Sequence, residues 1–173
     1  LKEEKARGIT IELGFAPFFT PSGRRLSIID VPGHERFVKT MIAGAGGVDL
    51  ALLVVAADEG IKPQTVEHVA ICGLLGIPRG VVAISKADLV DEAQLESRKA
   101  EVKAGLVGSI FENAPCVPVS ATTGHGLSSL VGEIDSTSRH AADVDRSRRD
   151  ALPGRLAVDR VFSMAGFGVV VTG

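Results

Sequence analysis

Apolar and polar side chains alternate along Ile9-Thr10-Ile11-Glu12-Leu13, the period-2 pattern of a half-buried strand. A turn signal, Thr20-Pro21-Ser22-Gly23, separates it from a second strand-like run, Arg24 to Ile29, so the two predict an antiparallel hairpin. Phe37, Met41 and Ile42 have helical spacing on a short segment that ends among Gly44, Gly46 and Gly47. Beyond it the element types alternate. Leu50 to Ala56 is continuously apolar, as a strand covered on both faces must be. Pro63 to Leu75 places Val66, Val69, Ala70 and Leu74 on one helical face, with the proline near its start. Gly80 to Ile84 is strand again, Asp91 to Val107 a solvated helix with Leu95, Val102 and Leu106 in one stripe, and Cys116 to Val119 a short strand. Leu127, Leu130, Val131 and Ile134 make a last helical face. Strands alternating with helices imply parallel βαβ units with right-handed crossovers, hence an α/β fold.

Arg139 to Arg149 breaks this rhythm: dense in charge and aperiodic, it leads to Pro153-Gly154 and reads as an interdomain linker over residues 139–154. Its arginines also suggest a basic nucleic-acid patch, but Asp143, Asp145 and Asp150 interleave with them. Leu156-Ala157-Val158 and Val169-Val170-Val171 bracket Met164 to Gly168 and predict a β-hairpin that opens a new all-β domain. The expected organisation is thus a domain over residues 1–138, the linker, and a hairpin within 155–173.

Composition excludes more than it identifies. With 19 basic against 21 acidic residues, no global charge draws the chain to nucleic acid or membrane, so such contacts need a local patch. No stretch approaches 18 uninterrupted apolar residues, and the charged start Leu1-Lys2-Glu3-Glu4-Lys5 is neither signal peptide nor membrane span. Cys72 and Cys116 stand far apart in apolar settings and read as buried free thiols of a reducing compartment, which makes the cytoplasm the expected location. A first residue other than Met and an unfinished strand-like run at Val171-Thr172-Gly173 predict an excerpt of a longer protein.

The candidate chemistry stands where strands end, which is where open parallel sheets bind ligands. Asp30-Val31-Pro32-Gly33-His34 joins a strand to a helical pattern. A carboxylate there suits a metal ion or its waters, Gly33 admits a ligand close to the backbone, and a new helix points unpaired N–H groups at an anion. The same five residues also make an ordinary strand-to-helix turn. Ser85-Lys86-Ala87-Asp88 follows the next strand: a carboxylate accepts two parallel hydrogen bonds from the N1–H and exocyclic amine of guanine, while a lysine stem covers the flat ring. The bland alternative is a surface loop with an ion pair. Ser120-Ala121 follows a third strand, where the Ala121 N–H suits the guanine O6, and Thr10 offers a hydroxyl suited to magnesium. His34 adjoins the candidate γ-phosphate contact and could orient a water for in-line attack, although a lone His after Pro-Gly is more often solvent-exposed and idle.

Taken together, these motifs resemble the translational GTPases of the elongation factor Tu group. Arg7-Gly8-Ile9-Thr10 resembles the first switch, Asp30 to His34 the second, Ser85-Lys86-Ala87-Asp88 the guanine-specificity motif, and Ser120-Ala121 the last nucleotide box. Within the group the resemblance is greatest to the selenocysteine-specific factors, carried by Leu1 to Ala16, His34 to Lys39 and Ala43 to Asp49. The resemblance implies a mostly parallel sheet with helices on both faces, followed by a β-barrel domain. It implies that Thr10 ligates Mg²⁺ and Asp30 contacts it through water. It further implies that the Gly33 N–H binds the γ-phosphate of GTP, that His34 positions the attacking water, and that Ser85, Lys86, Asp88, Ser120 and Ala121 form the guanine pocket. The implied activity is GTP hydrolysis to GDP coupled to delivery of selenocysteinyl-tRNA to the ribosome, with an mRNA element bound by C-terminal domains outside these residues and no membrane partner.

Two departures qualify the resemblance. Ser85 replaces the usual Asn of the guanine motif, which removes one hydrogen bond that stiffens the pocket. No Gly-x-x-x-x-Gly-Lys-Ser/Thr occurs in the 173 residues, so the phosphate loop is expected upstream of Leu1, on a strand that in this fold runs between those ending at Asp30 and Ala56. These residues alone are therefore expected to bind GTP weakly or not at all. Two alternatives stay open: another translational GTPase, such as elongation factor Tu or the tRNA-carrying initiation factor subunit, and a GTPase-like domain serving only as an interaction module.

Overall fold

The structure, a computed structural model, describes residues 13–32, 42, 48–149, 160–164, 166 and 168–172. The chain divides into two compact units, Leu1–Ala141 and Ala142–Gly173. In the first, strands β1 (Gly14–Phe19) and β2 (Arg25–Asp30) pair antiparallel, and β3 (Ala51–Ala56), β4 (Gly80–Ser85) and β5 (Cys116–Pro118) form a separate parallel sheet in the order β3-β4-β5. Helices α1 (Pro63–Leu74) and α2 (Glu92–Gly105) alternate with those strands, and α3 (Leu127–Arg149) follows β5. The expected α/β class is the observed one. In the second unit, β6 (Arg160–Met164) and β7 (Gly168–Thr172) form an antiparallel hairpin.

Strand β4 lies at the centre of the parallel sheet, and Gly80 to Ile84 are all buried, which is why its sequence is apolar without alternation. Alternate residues feed two cores. Leu53, Val55, Val82 and Ile84 pack with Val102 and Leu106, next to which Val69 of α1 and Leu95 of α2 are partly buried. Val81 and Ala83 on the opposite face pack with Val119 and Leu130, alongside Ile134 of α3. Local signals set the helix starts. Pro63 opens α1, where its missing N–H is no loss, and Asp91 caps α2 by accepting from the Gln94 N–H at 2.7 Å while the Gln94 side chain accepts from the Asp91 N–H at 3.1 Å.

Three expectations need adjustment. The hairpin exists, but its first strand is Gly14–Phe19, one step downstream of Ile9–Leu13, with Gly14 opposite Asp30 and Pro17 opposite Ser27. A two-stranded sheet has only edges, where a proline can sit without breaking a ladder bond, so Pro17 does not stop the strand. Of the earlier segment only Leu13 is described, and it is not strand. Residues 139–149, expected as an aperiodic linker, continue α3 as far as Arg149. They carry no apolar stripe, but neither Gly nor Pro intervenes before Pro153 to end the helix. Leu50 to Ala56, expected to be covered on both faces, gives β3, an edge strand among the described residues with Leu52 and Val54 exposed; as expected, β2 is not hydrogen-bonded to it. The expected short helix from Phe37 and the run Leu156 to Val158 lie outside the described residues, Ile42 apart.

Candidate nucleotide-binding site

Because β3, β4 and β5 are parallel and adjacent, the segments after all three emerge at one edge of the sheet. After Ser85 the chain reverses at Lys86, whose φ of 56° and ψ of 33° are left-handed, a conformation that costs a non-glycine residue about 1 kcal/mol. A 3₁₀ turn, Ala87–Leu89, follows and leaves Asp88 exposed. The Ala87 N–H donates to the Val119 carbonyl at 3.1 Å, and Val119 N–H to the Ile84 carbonyl at 2.8 Å, so the ends of β4 and β5 are tied together.

Ser120 is fully buried and organises the next loop. Its hydroxyl accepts from the Thr123 N–H at 3.1 Å, its carbonyl from the Gly124 N–H at 2.9 Å, and its own N–H donates to the His125 carbonyl at 2.9 Å. The loop then closes against β5 at Gly126, with φ of +71° and space for no Cβ, which would lie 2.0 Å from the Pro118 carbonyl oxygen. Ala121 is left on the outside of this loop. Neither its N–H nor the Asp88 carboxylate has a hydrogen-bond partner among the described residues. A carboxylate acceptor and a backbone donor at one sheet edge match the N1–H and exocyclic amine and the O6 along one edge of a guanine base.

The structure thus brings Lys86, Asp88, Ser120 and Ala121 together. Ser85 contributes its carbonyl, which accepts from the Ala57 N–H at 2.8 Å, while its hydroxyl bonds to nothing among the described residues. Asp30 ends β2, exposed and opposite Gly14, on the two-stranded sheet and not on the parallel one. The described residues contain no group of three His, Cys, Asp or Glu side chains able to hold a metal ion. A single carboxylate such as Asp30 fits Mg²⁺, which keeps several waters, better than a metal that needs a full set of protein ligands. Thr10, Gly33 and His34 lie outside the described residues. Both cysteines are free and half-buried, and burial pushes their thiols up.

Two residues at this edge carry no role in the motif reading. Lys86 Nζ lies 3.0 Å and 3.2 Å from the two Asp58 carboxylate oxygens and 3.3 Å from Glu59 Oε1, so Lys86 is ion-paired not with Asp88 of its own loop but with the loop after β3. Asp58 and then Glu59 raise the Lys86 ammonium above the usual lysine value. Lys62 first, then Lys86, holds the Glu59 carboxyl below the usual carboxylate range. The available signal was positional: two carboxylates directly after a strand parallel to the one that ends at Lys86.

Residues 1–140 match the family described as the elongation factor Tu GTP binding domain. The selenocysteine-specific elongation factor of Desulfomicrobium baculatum is 57% identical over the whole chain, which spans 27% of that protein's length. The crystal structure of a bacterial selenocysteine-specific elongation factor, EF-Sec, superposes with a TM-score of 0.76 at 38% identity, covering 99% of this chain and 29% of the other. The translation elongation factor SelB from Methanococcus maripaludis, in complex with the GTP analogue GppNHp, superposes with a TM-score of 0.70 at 30% identity, covering 94% of this chain and 35% of the other. The parallel sheet, the loops at its carboxyl edge and the family match over residues 1–140 agree, and the chain belongs to the elongation factor Tu GTP-binding domain family.

Proposed function

We propose that this chain is the greater part of the GTP-binding domain of a selenocysteine-specific elongation factor. The observation that carries the reading is the junction of Lys86, Asp88, Ser120 and Ala121 at one sheet edge within a family-matched segment. Asp88 accepts from the N1–H and exocyclic amine of guanine, the Lys86 stem covers the ring, and the Ala121 N–H meets O6. Adenine lacks that donor pair and would leave the carboxylate unpaired, which is the source of base selectivity. Thr10 would ligate Mg²⁺ and Asp30 would contact it through water; the ion, when bound, would neutralise phosphate charge. The Gly33 N–H contacts the γ-phosphate and His34 positions the attacking water. Loss of the γ-phosphate then releases the segments around Thr10 and Gly33, an order-to-disorder change that frees a bound aminoacyl-tRNA.

In this reading residues 1–138 belong to the GTP-binding domain, 139–154 connect it onward, and 155–173 begin a β-barrel domain. The full-length protein hydrolyses GTP and delivers selenocysteinyl-tRNA to the ribosome in the cytoplasm, with an mRNA element held by C-terminal domains. The test uses the full-length protein. It is expected to bind GTP and GDP in preference to ATP and ADP, and in its GTP form to protect selenocysteinyl-tRNA from deacylation more than other aminoacyl-tRNAs. Equal protection of all aminoacyl-tRNAs points to a general elongation factor. Absence of guanine binding, together with no in-frame Gly-x-x-x-x-Gly-Lys-Ser/Thr upstream of Leu1, points to an interaction module.

A further inference from the structure

The loop after β3, Ala57-Asp58-Glu59-Gly60, is fastened from several sides. The Ala57 N–H donates to the Ser85 carbonyl at 2.8 Å, the Gly60 N–H to the Ala56 carbonyl at 2.8 Å, and Arg98 Nε of α2 to the Ala57 carbonyl at 2.9 Å. Gly60 has φ of +76°, a left-handed backbone that favours glycine where the loop turns toward α2. Two carboxylates on this fixed base converge on one ammonium, Lys86 Nζ, at 3.0 to 3.3 Å. The lysine is constrained from its other end too, by its left-handed backbone.

We propose that Asp58 and Glu59 are positioning residues of the guanine pocket, which hold the Lys86 ammonium so that its four-carbon stem is set in place before the base arrives. The proposal rests on reading Lys86 and Asp88 as the guanine-binding pair. A free lysine stem loses rotamer freedom when a ring settles against it; a stem held at both ends has already lost it. Exposed ion pairs add little to folding stability, so the effect of this clamp is on nucleotide affinity.

The experiment measures GDP and IDP binding to the full-length protein by displacement of a fluorescent GDP. D58N/E59Q keeps side-chain shape and removes both charges. It is expected to weaken GDP about three- to tenfold, the loss associated with freeing one long side chain, with the melting temperature changed by less than about 2 °C. IDP, which lacks the exocyclic amine, is expected to weaken by the same factor, because the clamp acts on the face of the base and not on its edge. In a K86A background the same pair of substitutions is expected to change GDP affinity by less than about twofold, since nothing is left to hold. E59Q alone, at the more exposed carboxylate, gives a smaller loss in the same cycle and covers a double variant that folds poorly. Wild-type GDP affinity in D58N/E59Q, or a loss that persists undiminished in K86A, overturns the clamp. Wild-type GDP affinity in K86A overturns the guanine reading itself, a separate outcome.

Discussion

The carboxyl edge of the parallel sheet and the β1–β2 hairpin belong to the same unit but are built on opposite principles. At the sheet edge the segments are tied to their neighbours through the backbone, Ala57 to Ser85 and Ala87 to Val119, and the last loop is closed on itself from Ser120 to His125. Among the described residues the hairpin is joined to no other strand, and Phe15, Phe19 and Ile28 are 68%, 66% and 47% exposed. A polar contact ties it to α3: the Ser22 hydroxyl donates to Asp135 at 2.6 Å. In the reading proposed above, the difference follows the two tasks a nucleotide switch has. Recognition of a base needs donors and acceptors held within tenths of an ångström, so it is built on a rigid edge. Response to a γ-phosphate needs segments that change state, and these are drawn from elements with few buried contacts.

The largest expected effect lies beyond the hairpin, at its continuation past Asp30. His34→Ala in the full-length protein is expected to slow ribosome-stimulated GTP hydrolysis by about a hundredfold or more while GTP affinity changes little, because it removes a water-positioning group and no ground-state contact. Parallel losses in hydrolysis and affinity would make His34 structural and end the division of labour drawn above. Next in size is a direct contrast between the two regions. Phe111, 2% exposed in the core of the parallel sheet and against Gly80 at the start of β4, is expected to cost about 3–5 kcal/mol as Phe111→Ala, whereas Phe15→Ala on the hairpin is expected to cost less than about 0.5 kcal/mol. Denaturant midpoints of the two variants measure this directly, and comparable losses would show that the hairpin carries core energy after all. Asp88→Ala is expected to weaken GDP about tenfold to a hundredfold and IDP less, the value of hydrogen bonds to a charged acceptor. Equal losses for the two nucleotides would place the exocyclic amine elsewhere.

What was legible in the amino acids divides along the same line. The apolar runs Leu50 to Ala56 and Gly80 to Ile84 marked two strands, of which only the second is buried on both faces, and the helical stripes between them required parallel crossovers. From that alone Lys86, Asp88 and Ser120 had to emerge at one edge. Contacts far apart in the chain had no such signature. Asp58 meets Lys86 across 28 residues and Ser22 meets Asp135 across 113, and neither pair has a period to betray it. The displaced first strand is a failure of local pattern: Ile9 to Leu13 alternates well, but Gly14–Phe19 is the run that pairs with β2. Charge density at 139–149 looked like a linker because it lacks an apolar stripe, yet a helix needs only the absence of a breaker to continue.

The smallest expected effect concerns the polar tie itself. Asp135 is 4% exposed, accepts from Ser22, and is ion-paired to Arg139 at 3.2 Å, while Thr20 Oγ1 lies 3.0 Å from the Ser22 hydroxyl. The Ser22 hydroxyl first, then Thr20, holds the Asp135 carboxyl below the usual aspartate value. A carboxyl lowered by folding contributes stability that is complete above its unfolded value, near pH 4, and is lost as pH falls through its folded value. Ser22→Ala is therefore expected to lower the melting temperature by on the order of 2–4 °C at about pH 6, and the gap to the wild type is expected to shrink as the pH is taken down toward about pH 3. A gap that is constant across that range would mean that Ser22 acts through packing or turn geometry, not through the charge on Asp135. The hairpin would then rest on α3 without the polar tie that the geometry assigns to it.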